Sequence, residues 1–293
     1  MQHNGQKSDL PGAPDTGGAD RRDSSERDAI RTLVTDIYEH TGADFREYAY
    51  SSLRRRVARC VADECVPDVG ELHRRMLGDP RCLQRVLKSI TVHVTSMFRD
   101  PGFFLALRAT IVPLLRTYPF VRIWSAGCST GEELFSLAIV LHEEGLLDRC
   151  RLYATDMSVH AIEKARAGIF PLSAMRDYLR NYQAGGGREP FSDYYTADGE
   201  NVILRPFLRK NVVFSSHNLA SDASFNEFHA IFCRNVLIYF NRALQDRVHA
   251  LFHESLVHYG FLGLGRSESI RFTPFEKSYE SVGGRERIFR KVK

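Results

Sequence analysis

A chain of 293 residues, 43% hydrophobic and 26% charged, has ordinary globular composition and room for one large α/β domain or a small domain beside a medium one. No apolar run approaches the ~20 residues of a membrane span, Met1 to Asp20 lacks the regions of a signal peptide, and a net charge of +4 is too weak to argue for nucleic acid. The cysteines at 60, 65, 82, 128, 150 and 233 show neither C-x-x-C pairs nor zinc spacing, so they read as reduced thiols of a cytoplasmic protein, with no metal expected.

Residues 1 to about 23 are rich in Gly, Asp, Ser and Pro and read as a disordered tail. From Ser24 or Ser25 to about Val94 the pattern is helical. Ile30, Leu33, Val34 and Ile37 follow 3.6-residue spacing until Gly42. Further helices are expected over Tyr48 to Val61, Glu71 to Leu77 and Cys82 to Thr91, making an all-helical domain of about 70 residues. Arg54, Arg55, Arg56 and Arg59 cluster on the second helix. Charge runs are usually solvated faces; the other reading is a docking face for an acidic partner.

Asp100-Pro101 has the form of a helix start, with Asp as N-cap and Pro at the first position. A helix to about Arg116 then precedes a strand at 121 to 126, a small-residue turn from Ser125 to Gly131, and a helix from Glu132 to about Glu144. Arg151 to Asp156 is a second strand ending on an acid; Ser158 caps the next helix and Gly168 closes it. Residues 170 to 211 break the alternation, and Tyr194 to Leu204 reads as an inserted β-hairpin, placed at about 188 to 211. Strands follow at 212 to 218 and in the apolar run Ala230 to Phe240, then a helix from about Arg242 to Val257, a strand at 260 to 265 and a final strand at 286 to 292. The alternation implies a mostly parallel, doubly wound α/β sheet over 95 to 293.

Three ligands compete for the turn. Gly127-Cys-Ser-Thr-Gly131 matches the nucleophile elbow of a hydrolase, with Ser129 as nucleophile, although an elbow normally follows several earlier strands. A phosphate loop would need a Lys that is missing here. A nucleoside cofactor without phosphates suits Glu132 and Glu133 behind the turn and Asp156 at the next strand's end, where an acid can accept ribose hydroxyls. S-adenosylmethionine has that chemistry. His249 and His253, one helical turn apart, could make half a metal site, but an amphipathic helix surface is the ordinary explanation.

Five motifs in order carry a resemblance: Val94-Thr-Ser-Met-Phe-Arg-Asp-Pro101, Trp124-Ser-Ala-Gly-Cys-Ser-Thr-Gly-Glu-Glu133, Ala154-Thr-Asp156, His217-Asn-Leu219 and Ile231-Phe-Cys-Arg-Asn-Val-Leu-Ile-Tyr-Phe240. Over about residues 25 to 292 the chain resembles the CheR-type chemotaxis protein-glutamate O-methyltransferases. The resemblance implies a class I S-adenosylmethionine-dependent methyltransferase fold with an inserted β-subdomain. It implies cofactor contacts from His93, Thr95, Arg99, Ala126, Gly127, Glu133, Asp156, Asn218, Leu219, Arg234 and Asn235, with His93 standing where relatives usually have Asn. His229 likewise replaces a common Asp and reads as a strand-end residue without chemistry. Arg99 and Tyr239 are the implied catalytic pair, and Arg54, Arg55, Arg56 and Arg59 the implied docking face. The implied partners are cytoplasmic helices of methyl-accepting chemoreceptors and other proteins of a chemosensory pathway. The alternative is a non-catalytic module on the same fold that senses cofactor or docks signalling partners.

Overall fold

The computed structural model describes residues 17–91 and 94–293, so the expected tail lies outside the described residues up to position 16. The first helix, α1 (Gly17–Thr41), begins earlier than the sequence pattern indicates. Arg54 ties its early part to the second helix through Asp23 at 3.3 Å and Glu26 at 3.2 Å. Helices α2 (Tyr50–Asp63), α3 (Val69–Gly78) and α4 (Pro80–Ile90) complete a helical segment. Its apolar faces, including Leu33, Phe45, Val57, Leu72, Cys82 and Ile90, share one core.

Helix α5 (Pro101–Ala106) passes through a π turn at Leu107–Ile111 into α6 (Val112–Leu115). Then come β1 (Val121–Ala126), α7 (Glu132–Glu143), β2 (Cys150–Asp156) and α8 (Val159–Ala167), within a residue or two of expectation. The local chemistry there is consistent at every boundary. Ser158 accepts from Ala161 N–H at 3.2 Å, and Gly168 closes α8 with φ +63°.

The insertion is larger than the expected hairpin. It opens with β3 (Ile169–Pro171) and a helix the sequence reading passed over, α9 (Met175–Ala184), before β4 (Tyr195–Asp198) and β5 (Asn201–Leu204). The three strands form their own antiparallel sheet in the order β3-β5-β4. Glu143, at the end of α7, anchors this subdomain by accepting from the Tyr182 and Tyr194 hydroxyls and from Arg188 N–H.

The frame resumes with β6 (Val212–Ser216), β7 (Phe228–Cys233), α10 (Arg242–Ser255), β8 (Leu256–Leu264), β9 (Tyr279–Ser281) and β10 (Ile288–Lys291). The main sheet runs β6-β2-β1-β7-β8-β10-β9, parallel from β6 through β8, with β10 and β9 antiparallel. The chain fills one side of β1 and then crosses to β7. That reversal opens a crevice outside the strands' carboxyl ends between β1 and β7, where open α/β sheets bind ligands. His229, at the start of β7, accepts Arg122 N–H at 3.0 Å.

His249 and His253 do not share one exposed helix face. His253 stacks on Phe275 with centroids 4.7 Å apart, whereas His249 is 2% exposed and burial lowers its pKa from 6.5 to about 4. A depressed folded-state pKa contributes stability above the unfolded value that is lost as pH falls through the folded one. Between pH 6.5 and 4 the protein should therefore lose about 3 kcal/mol through this group alone. Urea unfolding of His249→Leu across that window should show a flatter pH dependence; equal slopes would refute the assignment.

Candidate active site

The turn after β1 is shaped by contacts from both neighbouring strands. Gly127 has φ +72°, and a Cβ there would stand 2.5 Å from Val236 Cγ2, so only glycine lets the turn and the segment after β7 approach. Gly127 and Cys128 N–H donate to Thr155 O of β2 at 2.8 and 2.9 Å. Ser129 N–H donates to Asp156 Oδ2 and Ser158 N–H to Oδ1, both at 2.9 Å. Asp156 is thereby fixed at the mouth of the crevice. Cys128 is no reactive thiol: burial and the charges of Asp156 and Glu133 push its pKa well up, so it stays protonated.

Behind the turn, Glu133 occupies the first turn of α7 and faces Arg234, just past the end of β7. Arg234 has a 1% exposed side chain. It donates to Glu133 Oε2 at 3.1 Å, Asp100 Oδ2 at 3.0 Å and Arg99 O at 3.1 Å, and lies 4.1 Å from the Phe103 ring centroid. Burial raises the Glu133 pKa while Arg234 draws it back toward the charged form. This arrangement corrects the expected role of Asp100. It precedes α5, but its backbone is left-handed (φ +57°) and its side chain makes no cap, because its carboxylate is taken by Arg234.

The apolar run Ala230 to Phe240 is not one strand. Strand β7 stops at Cys233, Asn235 turns left-handed at φ +62°, and Leu237–Tyr239 forms a short 3₁₀ turn. The cause lies far along the chain. Glu268 is 4% exposed and accepts from the N–H groups of Gly265 (2.6 Å), Asn235 (3.0 Å), Val236 (2.8 Å), Leu237 (2.8 Å) and Ile238 (3.4 Å). Tyr239 is thus presented from a clamped turn rather than a strand end. The helical segment grips the same turn: Ala49 N–H donates to Tyr239 O at 2.9 Å, and Tyr48 packs on Phe240 at 5.1 Å.

These parts line one open cleft. Of the residues singled out in the sequence, Thr95, Arg99, Gly127, Glu133, Asp156, Asn218, Leu219, Arg234, Asn235 and Tyr239 line it. Ala126 is buried at the end of β1 and does not line it, and His93 lies outside the described residues. Of the expected docking arginines, Arg54, Arg55 and Arg59 are exposed. Arg56 is a correction: it is buried and turned into the cleft beside Tyr239. Sequence reasoning also missed Tyr48, Met157, His217 and Phe240 on the cleft wall, and Glu268 behind it.

Residues 93–287 match the family model "CheR methyltransferase, SAM binding domain", and residues 28–91 match "CheR methyltransferase, all-alpha domain". The chain belongs to the CheR methyltransferase family. It is 47% identical over 92% of its length to "Putative methyltransferase Cher3" of Pseudomonas putida, spanning 99% of that protein. It is 31% identical to "Chemotaxis protein methyltransferase 1" of Pseudomonas aeruginosa, over 78% of this chain and 84% of that one. It is 28% identical to "Chemotaxis protein methyltransferase" of Listeria monocytogenes, over 78% and 85%.

Like the rest of the CheR family, this methyltransferase uses S-adenosylmethionine on a class I fold. The donor set suits that cofactor. Two carboxylates, Asp156 and Glu133, and two amides, Asn218 and Asn235, line the cleft, and no Lys appears among its described lining residues. The carboxylates and amides suit hydroxyls and a cation, and Arg56, Arg99 and Arg234 on the same wall suit a carboxylate. No helix among the described residues is long and apolar enough to cross a membrane.

Proposed function

We propose that the protein transfers the methyl group of S-adenosylmethionine to glutamate side chains on the cytoplasmic helices of methyl-accepting chemoreceptors, leaving glutamyl methyl esters. The observation that carries this reading is the pairing of both CheR family models on one chain, the all-alpha domain over 28–91 and the cofactor domain over 93–287. Relatives named chemotaxis protein methyltransferase support it. They weigh against a non-catalytic sensor.

In this reading Thr95, Arg99, Gly127, Glu133, Asp156, Asn218, Leu219, Arg234 and Asn235 hold the cofactor, whose sulfonium supplies an electrophilic methyl group. Asp156 takes the ribose hydroxyls, and Glu133 is kept in place for the cationic end by Arg234. A glutamate with pKa near ~4.3 is already ionised at neutral pH, so its oxygen would need no general base to accept the methyl group that the bound cofactor would supply. The protein's task is alignment and exclusion of water, an effect worth roughly 7–11 kcal/mol when well executed. Arg99 and Tyr239, both on the cleft wall, orient the reacting groups. The exposed Arg54, Arg55 and Arg59 of α2 form the face that meets acidic receptor helices.

The test is incubation with tritiated S-adenosylmethionine and the chemoreceptors of the same organism, scoring base-labile methyl esters. Arg99→Ala and Tyr239→Phe should each lower methyl transfer at least about 100-fold. Near-wild-type turnover in either variant would remove that residue from the chemistry.

A further inference from the structure

We infer that Asn181, on helix α9 of the insertion, is a positioning residue that aims Arg99 into the cleft by clamping the linker ahead of α5. The inference rests on the proposed function, in which Arg99 orients the reacting groups, and extends it to an element outside the cleft. No described lining residue comes from 169–211. Asn181 nevertheless reaches the linker that carries Thr95 and Arg99. Its Nδ2 donates to Met97 O at 3.1 Å and lies 3.4 Å from Ser96 Oγ. A carbonyl oxygen only accepts, so the amide nitrogen has to face it.

The linker needs a clamp because its backbone is strained. Phe98 and Asp100 have φ of +52° and +57°, so both neighbours of Arg99 lie in the left-handed region that bulky residues avoid. Residues held there persist only where the surroundings over-determine them, and they gather at functional sites. Three contacts do so here. Arg234 takes the Asp100 carboxylate and donates to Arg99 O, Ser136 Oγ of α7 accepts Phe98 N–H at 2.8 Å, and Asn181 takes Met97 O. Only the last comes from the insertion.

Helix α9 does not depend on Asn181 for its own place. The buried Phe98 ring packs on Tyr182 at 5.1 Å, Tyr178 donates to Glu132 Oε1 at 3.3 Å, and Glu143 anchors the insertion through Tyr182 and Tyr194. The amide bond to Met97 O therefore sets the curl of the linker more than the stability of the fold. That curl decides where Arg99 points, because Arg99 Nη1 donates back to Val94 O at 3.0 Å and its N–H donates to Ser96 O at 3.3 Å. Residues 94–99 thus move as one piece. With Met97 O released, Phe98 and Asp100 can relax toward ordinary backbone and swing the guanidinium out of line.

The experiment uses the full chain and measures methyl transfer from tritiated S-adenosylmethionine to the chemoreceptors of the same organism. Asn181→Asp keeps the size of the side chain but replaces the donor with an acceptor, and should lower kcat by about 30-fold or more; Asn181→Ala should lower it about tenfold. In an Arg99→Ala background neither substitution should lower it further, because Asn181 acts through Arg99. Losses that simply multiply in the double variants would show a structural strut and overturn the assignment. If Asn181→Asp does not fold, the Ala variant decides by the same cycle. Hydrogen exchange supplies a readout that needs no acceptor: the Phe98 and Arg99 amides should exchange at least about tenfold faster in Asn181→Asp, with α7 unchanged. Unchanged exchange at both amides would refute the clamp. If the wild type forms no ester on any chemoreceptor, the functional reading falls, and the exchange result then decides the clamp alone.

Discussion

Arg234→Met should destabilise the protein by about 3–5 kcal/mol and abolish measurable binding of S-adenosylhomocysteine, as read by urea unfolding and calorimetry. The guanidinium sits at a three-way junction: the end of β7, the first turn of α7, and the linker ahead of α5. Methionine would fill much of the volume against Phe103 but leave Glu133 and Asp100 without their shared counter-charge, 3.1 and 3.0 Å away in the wild type. Burial already raises the Glu133 pKa with Arg234 present. Without it, burial would push the Glu133 pKa higher still and favour the neutral form, which suits a cationic ligand less well. Arg234→Lys should recover little, because an ammonium cannot reach two carboxylates and the Arg99 carbonyl with one planar fork. A wild-type unfolding midpoint in Arg234→Met would contradict the account.

The parts of the fold legible in the sequence are those whose causes are local. From β1 through α8, apolar spacing, the Ser158 cap and glycines at 127, 131 and 168 all signal the same boundaries, and the structure keeps them. The expected cofactor residues gather for the same reason, since most lie at strand ends whose position follows from the alternation. What escaped the sequence reading depends on partners far along the chain. Asp100-Pro101 has the form of a cap, but an arginine 134 residues away takes the carboxylate. Ala230 to Phe240 is apolar enough for a long strand, and only Glu268 shows why it breaks at Asn235. Two misses did leave a signal. Arg56 shares its helix stripe with the buried Leu53, Val57 and Cys60, so its inward direction could be read from 3.6-residue spacing. Met175, Tyr178 and Tyr182 mark α9 in the same way.

Glu268→Gln should cost about 3 kcal/mol of stability and lower methyl transfer by at least about 100-fold, with a smaller effect on cofactor affinity. In the wild type one carboxylate oxygen accepts Gly265 and Asn235 N–H, and the other accepts Val236, Leu237 and Ile238. Burial pushes the Glu268 pKa up, and its backbone donors draw it back. A glutamine amide can offer an acceptor to only one of these sets and presents N–H to the other in either orientation, leaving buried donors face to face. Bonds to a charged acceptor contribute about 1.5–3 kcal/mol each, so losing two of them dominates over any gain from removing the buried charge. The turn would not detach altogether, because Ala49 N–H still holds Tyr239 O from the helical segment. Tyr239 should therefore drift rather than unfold, which predicts that kcat falls further than the affinity for S-adenosylhomocysteine. Equal losses in both would mean that the whole crevice, and not the Asn235–Tyr239 turn, depends on Glu268.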